Sequence, residues 1–554
     1  MSEVPTDGGA AAAPAAILPP LGLLARCKAD ADRLKVADAL GTELTGKRLL
    51  IGSLLFRSLL RKHVLDADET HVGILLPPSV GGVLANTALT LDGRVTVNVN
   101  YTLSKQVANY CLREAGVKHV LTSREFLKKR PMELDTEFVF LEDLKAKAGT
   151  LAKLKAAAHA ALPLGLLTKS LGLDRLDPEA TLTVVFTSGS TGEPKGVELT
   201  HKSVGSVLAA INPLAHPVVE DVTLGVLPFF HSFGYTATLW WPLCLPGAGV
   251  YGPNPLDART VGKLAGKYHP TITFATPTFL RGYIKRCTPE QMGSLNLVVV
   301  GGEKLPPDLR ETWAEEFGIA PTEGYGATEL SPVVACNVPA ERQRPGDPPA
   351  LKHGTIGRPL PGVKVRVVSG ETGEVLSNGE EGILHVGGPT VMKGYLNQPE
   401  KTAAVVRDGW YDTGDVAMID DEGFIHITGR LSRFSKIAGE MVPHLRIEEA
   451  LLSACASFGT DECEPDAEGP QLAVSAVPDD RKGERIVVLY RSLPMKPRQL
   501  RNRLNEAGLP NIWLPAADSF YQVEEIPVLG TGKLDLKALR ILAEERAAEA
   551  DAAD

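Results

Sequence analysis

The chain is short of positive charge. Its 58 Lys and Arg face 67 Asp and Glu, which leaves a formal charge of −9 over 554 residues. Without a basic excess to neutralise phosphates, nucleic acid is excluded as the main partner, and solubility is favoured. Cysteine is equally sparse. The seven present, Cys27, Cys111, Cys244, Cys287, Cys336, Cys455 and Cys463, are scattered, odd in number and form no C-x-x-C pair. This excludes a disulfide framework and a zinc site, and a reducing cytoplasm fits best. Long uninterrupted apolar runs are missing too. The stretch Phe233 to Val250 is broken by Pro242, Pro246 and Gly247 and is read as buried core rather than a bilayer span. The first twenty residues have no basic n-region and are interrupted by prolines, so residues 1–25 are expected to form a disordered tail, not a signal peptide.

At this length a single hydrophobic core is not enough, and at least two domains are expected. From about Leu49 to Leu360 short apolar runs alternate with longer amphipathic ones. His71 to Leu76, Leu182 to Phe186, Val222 to Leu227, Thr271 to Ala275 and Leu297 to Val300 read as strands, and Pro306 to Phe317 as a helix. That alternation predicts layered α/β structure with largely parallel sheets. Leu151 to Leu173 mixes lysines with leucines and alanines; it fits an amphipathic helix packed on the core and, second, one that touches a membrane surface. Pro339 to His353 reads as an exposed loop. Gly362 to Ile427 turns to short strands and predicts a small β-rich subdomain. The last 120 or so residues alternate helix (Arg446 to Ser453), strands (Leu472 to Val477, Arg485 to Tyr490) and helix (Pro497 to Ala507). They predict a small α+β domain, with the boundaries 26–429 and 430–554.

The densest chemical signal is Thr187-Ser188-Gly189-Ser190-Thr191-Gly192-Glu193-Pro194-Lys195-Gly196, between the run Thr181 to Phe186 and a helix-like segment from His201. Small residues let the backbone approach an anion, hydroxyls and N–H groups donate to it, and a lysine balances its charge. It is not G-x-x-x-x-G-K-[ST], because Pro194 precedes Lys195. Five further elements follow. Gly301-Gly302-Glu303 closes a strand where a flat ring can lie on the backbone. Gly324-Tyr325-Gly326-Ala327-Thr328-Glu329 offers an aromatic face, a hydroxyl and a carboxylate able to ligate Mg²⁺. In Gly409 to Asp415, the Asp415 carboxylate suits a ribose diol, since both hydroxyls donate. Arg430 carries a planar fork for ribose or phosphate oxygens. Pro527 to Lys533 sets a lysine on a Gly-rich turn. Each alone reads as a turn or a solvated loop.

Together, in this order and at this spacing, the six elements resemble the adenylate-forming enzymes, the superfamily of acyl-CoA synthetases, peptide-synthetase adenylation domains and luciferases, from about residue 45 to about residue 540. Asn98 to Thr102, Pro228 to Gly234 and Phe434 to Val442 look most like the synthetase half of bacterial acyl–acyl carrier protein synthetases. The resemblance implies ATP-dependent activation of a fatty acid to acyl-AMP, then transfer to a phosphopantetheine thiol of acyl carrier protein or coenzyme A, by a free-standing synthetase. A synthetase strict for coenzyme A and a non-catalytic nucleotide-binding protein are the alternatives.

It further implies that the loop Thr187, Ser188, Gly189, Ser190, Thr191 and Gly192 holds pyrophosphate with Lys195. Tyr325 would then hold adenine, with Gly302 and Glu303 also at the nucleotide, Thr328 the α-phosphate, Glu329 Mg²⁺, Asp415 the ribose, and Arg430 a ribose or phosphate oxygen. Lys533 is the implied catalytic cation of adenylation. The C-terminal domain is expected to rotate about a hinge, here Arg433, and to bring Lys436 in for the thioester step; Lys436 reads equally well as an exposed connector lysine. His231 is expected to gate the substrate, with simple packing between Phe230 and Phe233 as its other reading. Phe229 to Val250 and Thr276 to Phe279 are expected to line an acyl pocket. Arg430, Arg433, Lys436 and Arg446 are expected to form a basic patch that meets an acidic carrier protein or the nucleotide of coenzyme A.

Overall fold

In the computed structural model, residues 13–187, 194–347, 349–437, 440–456, 470–479, 483–528 and 534–551 are described. Among them two large sheets dominate. The nine-stranded sheet runs Arg358–Pro359, Val333–Cys336, Thr322–Gly326, Leu297–Val300, Ile272–Ala275, Val222–Gly225, Ala248–Tyr251, Leu34–Asp38, Glu43–Thr45. Its middle pairings are parallel and its two ends antiparallel. The seven-stranded sheet runs Gly394–Tyr395, Lys195–Thr200, Thr181–Thr187, Val95–Asn98, His71–Ile74, His119–Thr122, Glu137–Phe140, parallel except at the Gly394 end. The expected layered α/β architecture is present. Parallel strands need helical crossovers that cover both faces, which is why strands such as Leu297–Val300 are apolar throughout.

The core between the layers is aromatic where the sequence reads as buried. Gly234–Trp240 forms a π-helix that runs into Trp241–Cys244, with every residue buried. Trp241 meets Phe274 edge-on at 5.7 Å, and Tyr235 shares a hydrogen bond of 3.0 Å with Thr96 of the other sheet. Tyr235, Trp240 and Trp241 are therefore packed solid inside the stretch expected to line an acyl pocket.

Two expectations are corrected. Part of the stretch expected as a disordered tail is ordered: Pro19–Ala29 is a helix with proline at its first positions and Leu23, Leu24 and Cys27 in the core. Residues 1–12 lie outside the described residues. In the loop from Pro339, Arg342 is buried rather than exposed: its fork holds Asp221 at 2.6 and 2.9 Å and also reaches Asn296.

The stretch from Leu151 is two helices, Thr150–Ala161 and Leu164–Ser170, parted at Pro163, whose fixed φ and missing N–H interrupt the first. A five-stranded sheet built on Lys364–Val368, Gly382–Gly387, Trp410–Ile419 and Ile425–Arg430, with Val406–Arg407, forms the expected β-rich subdomain. Beyond it come the hairpin Phe434–Ile437/Glu440–Pro443, helix His444–Ala456, a three-stranded sheet (Leu472–Asp479, Gly483–Tyr490, Phe520–Gln522) and helices Pro497–Glu506 and Leu536–Asp551. Ile447, Leu451, Val474, Val488, Leu500 and Leu504 give this α+β part a core of its own.

Candidate active site

Strand Thr181–Thr187 returns antiparallel as Lys195–Thr200, so that Thr187 lies opposite Lys195. The two ends of the Ser/Thr/Gly loop are thus fixed side by side. Ser188, Gly189, Ser190, Thr191 and Gly192 themselves lie outside the described residues. The chain then enters helix His201–Ala215 through a capping box of Thr200 and Ser203.

Lys195 points its ammonium at Tyr395, 3.2 Å from the hydroxyl and 4.3 Å from the ring centroid. The Tyr395 hydroxyl donates to the Glu329 carboxylate at 2.8 Å. Burial pushes the Lys195 pKa down, and the charge of Glu329 partly opposes this. Tyr395 is placed by strand Gly394–Tyr395, which pairs with the lysine's own strand at Val197. Burial first, then Glu329, pushes the phenol well above its ordinary value, so it stays a donor. Tyr411, buried beside it, is raised for the same reasons.

Glu329 follows Thr328 on a short 3-10 turn, and the Thr328 hydroxyl shares a hydrogen bond of 3.1 Å with Ser232. That contact brings the His231 loop to the Tyr325–Glu329 loop. His231 accepts from the Phe233 backbone N–H at 3.3 Å, and Phe230 meets Tyr101 edge-on at 4.9 Å. Gly301 ends strand Leu297–Val300, and a Cβ there would stand 3.2 Å from the Phe233 ring. Gly302 has φ +87°, which glycine adopts without strain. Glu303 accepts from Thr278 at 3.4 Å. Four loops at the C-terminal ends of parallel strands thereby converge, the place where open α/β sheets leave a crevice.

On the far wall, the Tyr325 hydroxyl donates to one oxygen of Asp415, and Arg430 Nε lies 3.4 Å from the other. Asp415 and Arg430 are cross-strand partners in Trp410–Ile419 and Ile425–Arg430. Burial together with the Asp415 charge raises the Tyr325 pKa, so this phenol too remains a donor. A carboxylate held by a phenol and a guanidinium is oriented and able to accept from vicinal hydroxyls.

Lys533 lies outside the described residues. Its flanks are joined by a bridge between Val528 and Leu534 and a hydrogen bond of 2.9 Å from Asp535 N–H to the Pro527 carbonyl. Lys436 sits on Phe434–Ile437 opposite Met441, with its side chain also outside the description. The expected basic patch loses a member. Arg433 is 5% exposed and forms an ion pair with Glu448, which also accepts from Val474 N–H at 2.6 Å. Arg446 is half-exposed, 3.9 Å from Glu381.

Comparison with known proteins settles the family. The AMP-binding enzyme family model matches residues 24–396.

The chain belongs to the AMP-binding enzyme family.

Its relatives include the long-chain-fatty-acid–CoA ligase of Thermus thermophilus, 30% identical with 81% of each chain covered. The Bacillus subtilis long-chain-fatty-acid–CoA ligase is 28% identical over 91% of this chain and 90% of its own. ATP-bound MatB from Rhodopseudomonas palustris has the same fold, with a TM-score of 0.75 at 24% identity, over 95% of this chain and 99% of that one. The Bacillus subtilis o-succinylbenzoate CoA synthetase with ATP and magnesium gives 0.76 at 23% identity, over 94% and 98%. Within this AMP-binding enzyme, sequence reasoning missed Tyr395, Tyr411 and Ser232. A Gly-Tyr pair and a buried Ser carry no chemical pattern of their own until the fold brings them to Lys195, Glu329 and Thr328.

Proposed function

We propose that the protein is an AMP-forming acid–thiol ligase that activates a fatty acid and passes it to a phosphopantetheine thiol. In the first half-reaction a carboxylate oxygen attacks the α-phosphorus of ATP, a P–O bond forms and pyrophosphate leaves. In the second a thiolate attacks the acyl carbonyl and AMP leaves. The observation that carries the reading is the pairing of two polar clusters, Lys195–Tyr395–Glu329 and Tyr325–Asp415–Arg430, joined by the one loop that carries both Tyr325 and Glu329. A carboxylate and a triphosphate repel each other, so a site joining them needs cations and donors fixed in advance.

The assigned roles are these. Thr187 to Gly192 and Lys195 hold pyrophosphate, Thr328 the α-phosphate, Tyr325 the adenine, with Gly302 and Glu303 also at the nucleotide, Asp415 the ribose, and Arg430 a ribose or phosphate oxygen. His231 borders the acyl entry. Among the described residues no group of three or more His, Cys, Asp or Glu could hold a metal. Glu329 with phosphate oxygens nevertheless suits Mg²⁺, which binds through one or two carboxylates plus substrate phosphates. Bound there, Mg²⁺ would screen the charge that builds on the phosphates. Lys533 supplies the adenylating cation, and residues 430–554 move as a domain, relative to 26–429, to bring Lys436 in for thiol transfer.

The relatives named as long-chain-fatty-acid–CoA ligases support coenzyme A as acceptor. The motifs shared with carrier-protein synthetases keep acyl carrier protein as the competing one. Scattered cysteines support a cytoplasmic setting. Joint presence of all the named residues speaks against a non-catalytic descendant.

The test combines a fatty-acid panel with both thiol acceptors, with Lys533→Ala as control. That variant is expected to lose adenylation on the order of 10²-fold while still forming thioester from supplied acyl-AMP. Equal losses in both steps would remove Lys533 from its role, and turnover with coenzyme A alone would decide the acceptor.

A further inference from the structure

The helix pair Thr150–Ala161 and Leu164–Ser170 has two faces of opposite meaning. Ala156, Ala160, Leu167 and Leu171 are buried in the main core, and the first helix lies along helix Gly46–His63. Away from that core, Leu151 is 66%, Leu154 62%, Leu164 41% and Leu166 57% exposed. Spacing explains the first two: positions 151, 154, 155, 158 and 161 share one side of the helix, opposite 156 and 160. The outward side of the first helix is therefore Leu, Leu, Lys, Ala, Ala. A solvated helix face carries charges of both signs, and this one does not.

Charge along the patch is mostly positive, with Glu142, Asp143 and Asp174 at its ends. Between Asp143 and Asp174 the sequence has no acidic residue, yet it holds Lys145, Lys147, Lys153, Lys155 and Lys169. All five are exposed. The neighbouring helix Gly46–His63 also lacks acidic residues and ends in Arg61, Lys62 and His63, each exposed. Among the described residues, Arg61 alone of these is near a carboxylate, Asp92 at 3.4 Å. At the edge of the patch Asp143 is held by Arg124 at 2.8 Å. This basic surface belongs to a chain whose total charge is −9.

We infer that the exposed leucines of Thr150–Ala161 and Leu164–Ser170, together with the exposed lysines of the same stretch, dock the protein on an anionic bilayer surface. Leucines at the level of the acyl chains and lysines at the level of anionic headgroups are the two terms that hold an interfacial helix. No helix among the described residues is long and apolar enough to cross a membrane, so the contact is peripheral. A second copy fits worse. A two-fold interface would set the lysines of one copy against those of the other, where like charges repel. Collection of a fatty acid from the bilayer would follow if the proposed activity holds; the docking itself does not depend on it.

The test is co-sedimentation of the full chain with vesicles of phosphatidylcholine alone or in equimolar mixture with phosphatidylglycerol, without substrate. The expected result is binding to the anionic vesicles only, weakened several-fold when ionic strength rises from about 0.1 M to about 1 M and the Debye length shrinks to roughly 3 Å. The combined variant Leu151→Ser, Leu154→Ser, Leu164→Ser, Leu166→Ser is expected to bind at least about tenfold more weakly. Lys153→Glu, Lys155→Glu, Lys169→Glu together should abolish the preference for phosphatidylglycerol. Pyrophosphate exchange with a water-soluble short-chain acid should be unchanged in both variants, which shows that they fold. No binding by the unaltered chain, or equal binding by the leucine variant, overturns the inference. So does a dimer in solution that the leucine variant dissociates while vesicles leave it intact.

Discussion

The crevice and the helix pair obey opposite rules. In the crevice, polar groups from the buried Tyr395 to the exposed Arg430 engage one another: Lys195 with Tyr395, Tyr395 with Glu329, Tyr325 with Asp415, Asp415 with Arg430. On the helix pair, apolar side chains stand in water and lysines have no acidic neighbours in sequence. A buried polar group is costly unless paired, so its partners reveal an arrangement built for charge. An exposed leucine costs the fold little, so its presence reports on a surface rather than on stability. The first region carries the proposed nucleotide chemistry, the second the proposed membrane contact.

The comparison breaks first in the crevice. Glu329→Gln keeps the shape and removes the charge, and adenylation should fall on the order of 10²–10³-fold with little change in melting temperature. A variant of near-normal rate would leave Glu329 as scaffold only. Next comes the buried side of the helix pair. Leu167 is fully buried, and Leu167→Ala should cost about 3 kcal/mol in denaturant unfolding.

Acid adds a second contrast, between a buried histidine outside the crevice and one on the helix pair. His201, at the start of the helix after the Ser/Thr/Gly loop, is buried, and burial pushes its pKa down to about 4. The unfolded chain then binds the extra proton between about pH 6.5 and 4, so stability present above pH 6.5 is lost as pH falls through that window. The loss by pH 5 should reach up to about 2 kcal/mol, and His201→Gln should flatten that slope. His159 joins the two helices through Ser170 at 2.7 Å and is lowered by a lesser burial. His159→Gln should alter the slope much less.

Smaller effects follow. Tyr395→Phe keeps the ring under Lys195 and removes the hydroxyl that bridges to Glu329. Adenylation should fall about tenfold, roughly 1.4 kcal/mol, through kcat more than KM. The smallest effect belongs to the exposed leucines: each Leu→Ser should shift unfolding by no more than about 0.5 kcal/mol. A larger loss at Leu151 or Leu154 would mean that these side chains pack on something in solution.

Much of this was legible in the sequence because the signals are local. Strands such as Leu297–Val300 and the helix ending at Phe317 before Gly318 show in a few neighbouring residues, and each motif lies within one loop. What was hidden depends on distant partners. Tyr395 matters only because its strand lies beside Lys195, 200 residues earlier. Arg433 reads as a surface cation until Glu448 and Val474 close over it. Pro19–Ala29 has the composition of a loose tail, yet Gly205 lets the Ile17 backbone run against helix His201–Ala215, where a Cβ would stand 2.7 Å from the Ile17 carbonyl oxygen.

The most direct test of the central claim is carboxylate-dependent exchange of labelled pyrophosphate into ATP, measured across fatty acids for the unaltered chain and for Asp415→Ala. The account predicts exchange that requires a fatty acid and Mg²⁺ and that falls on the order of 10²-fold in the variant. Absence of exchange with every acid, or equal exchange in Asp415→Ala, would contradict it.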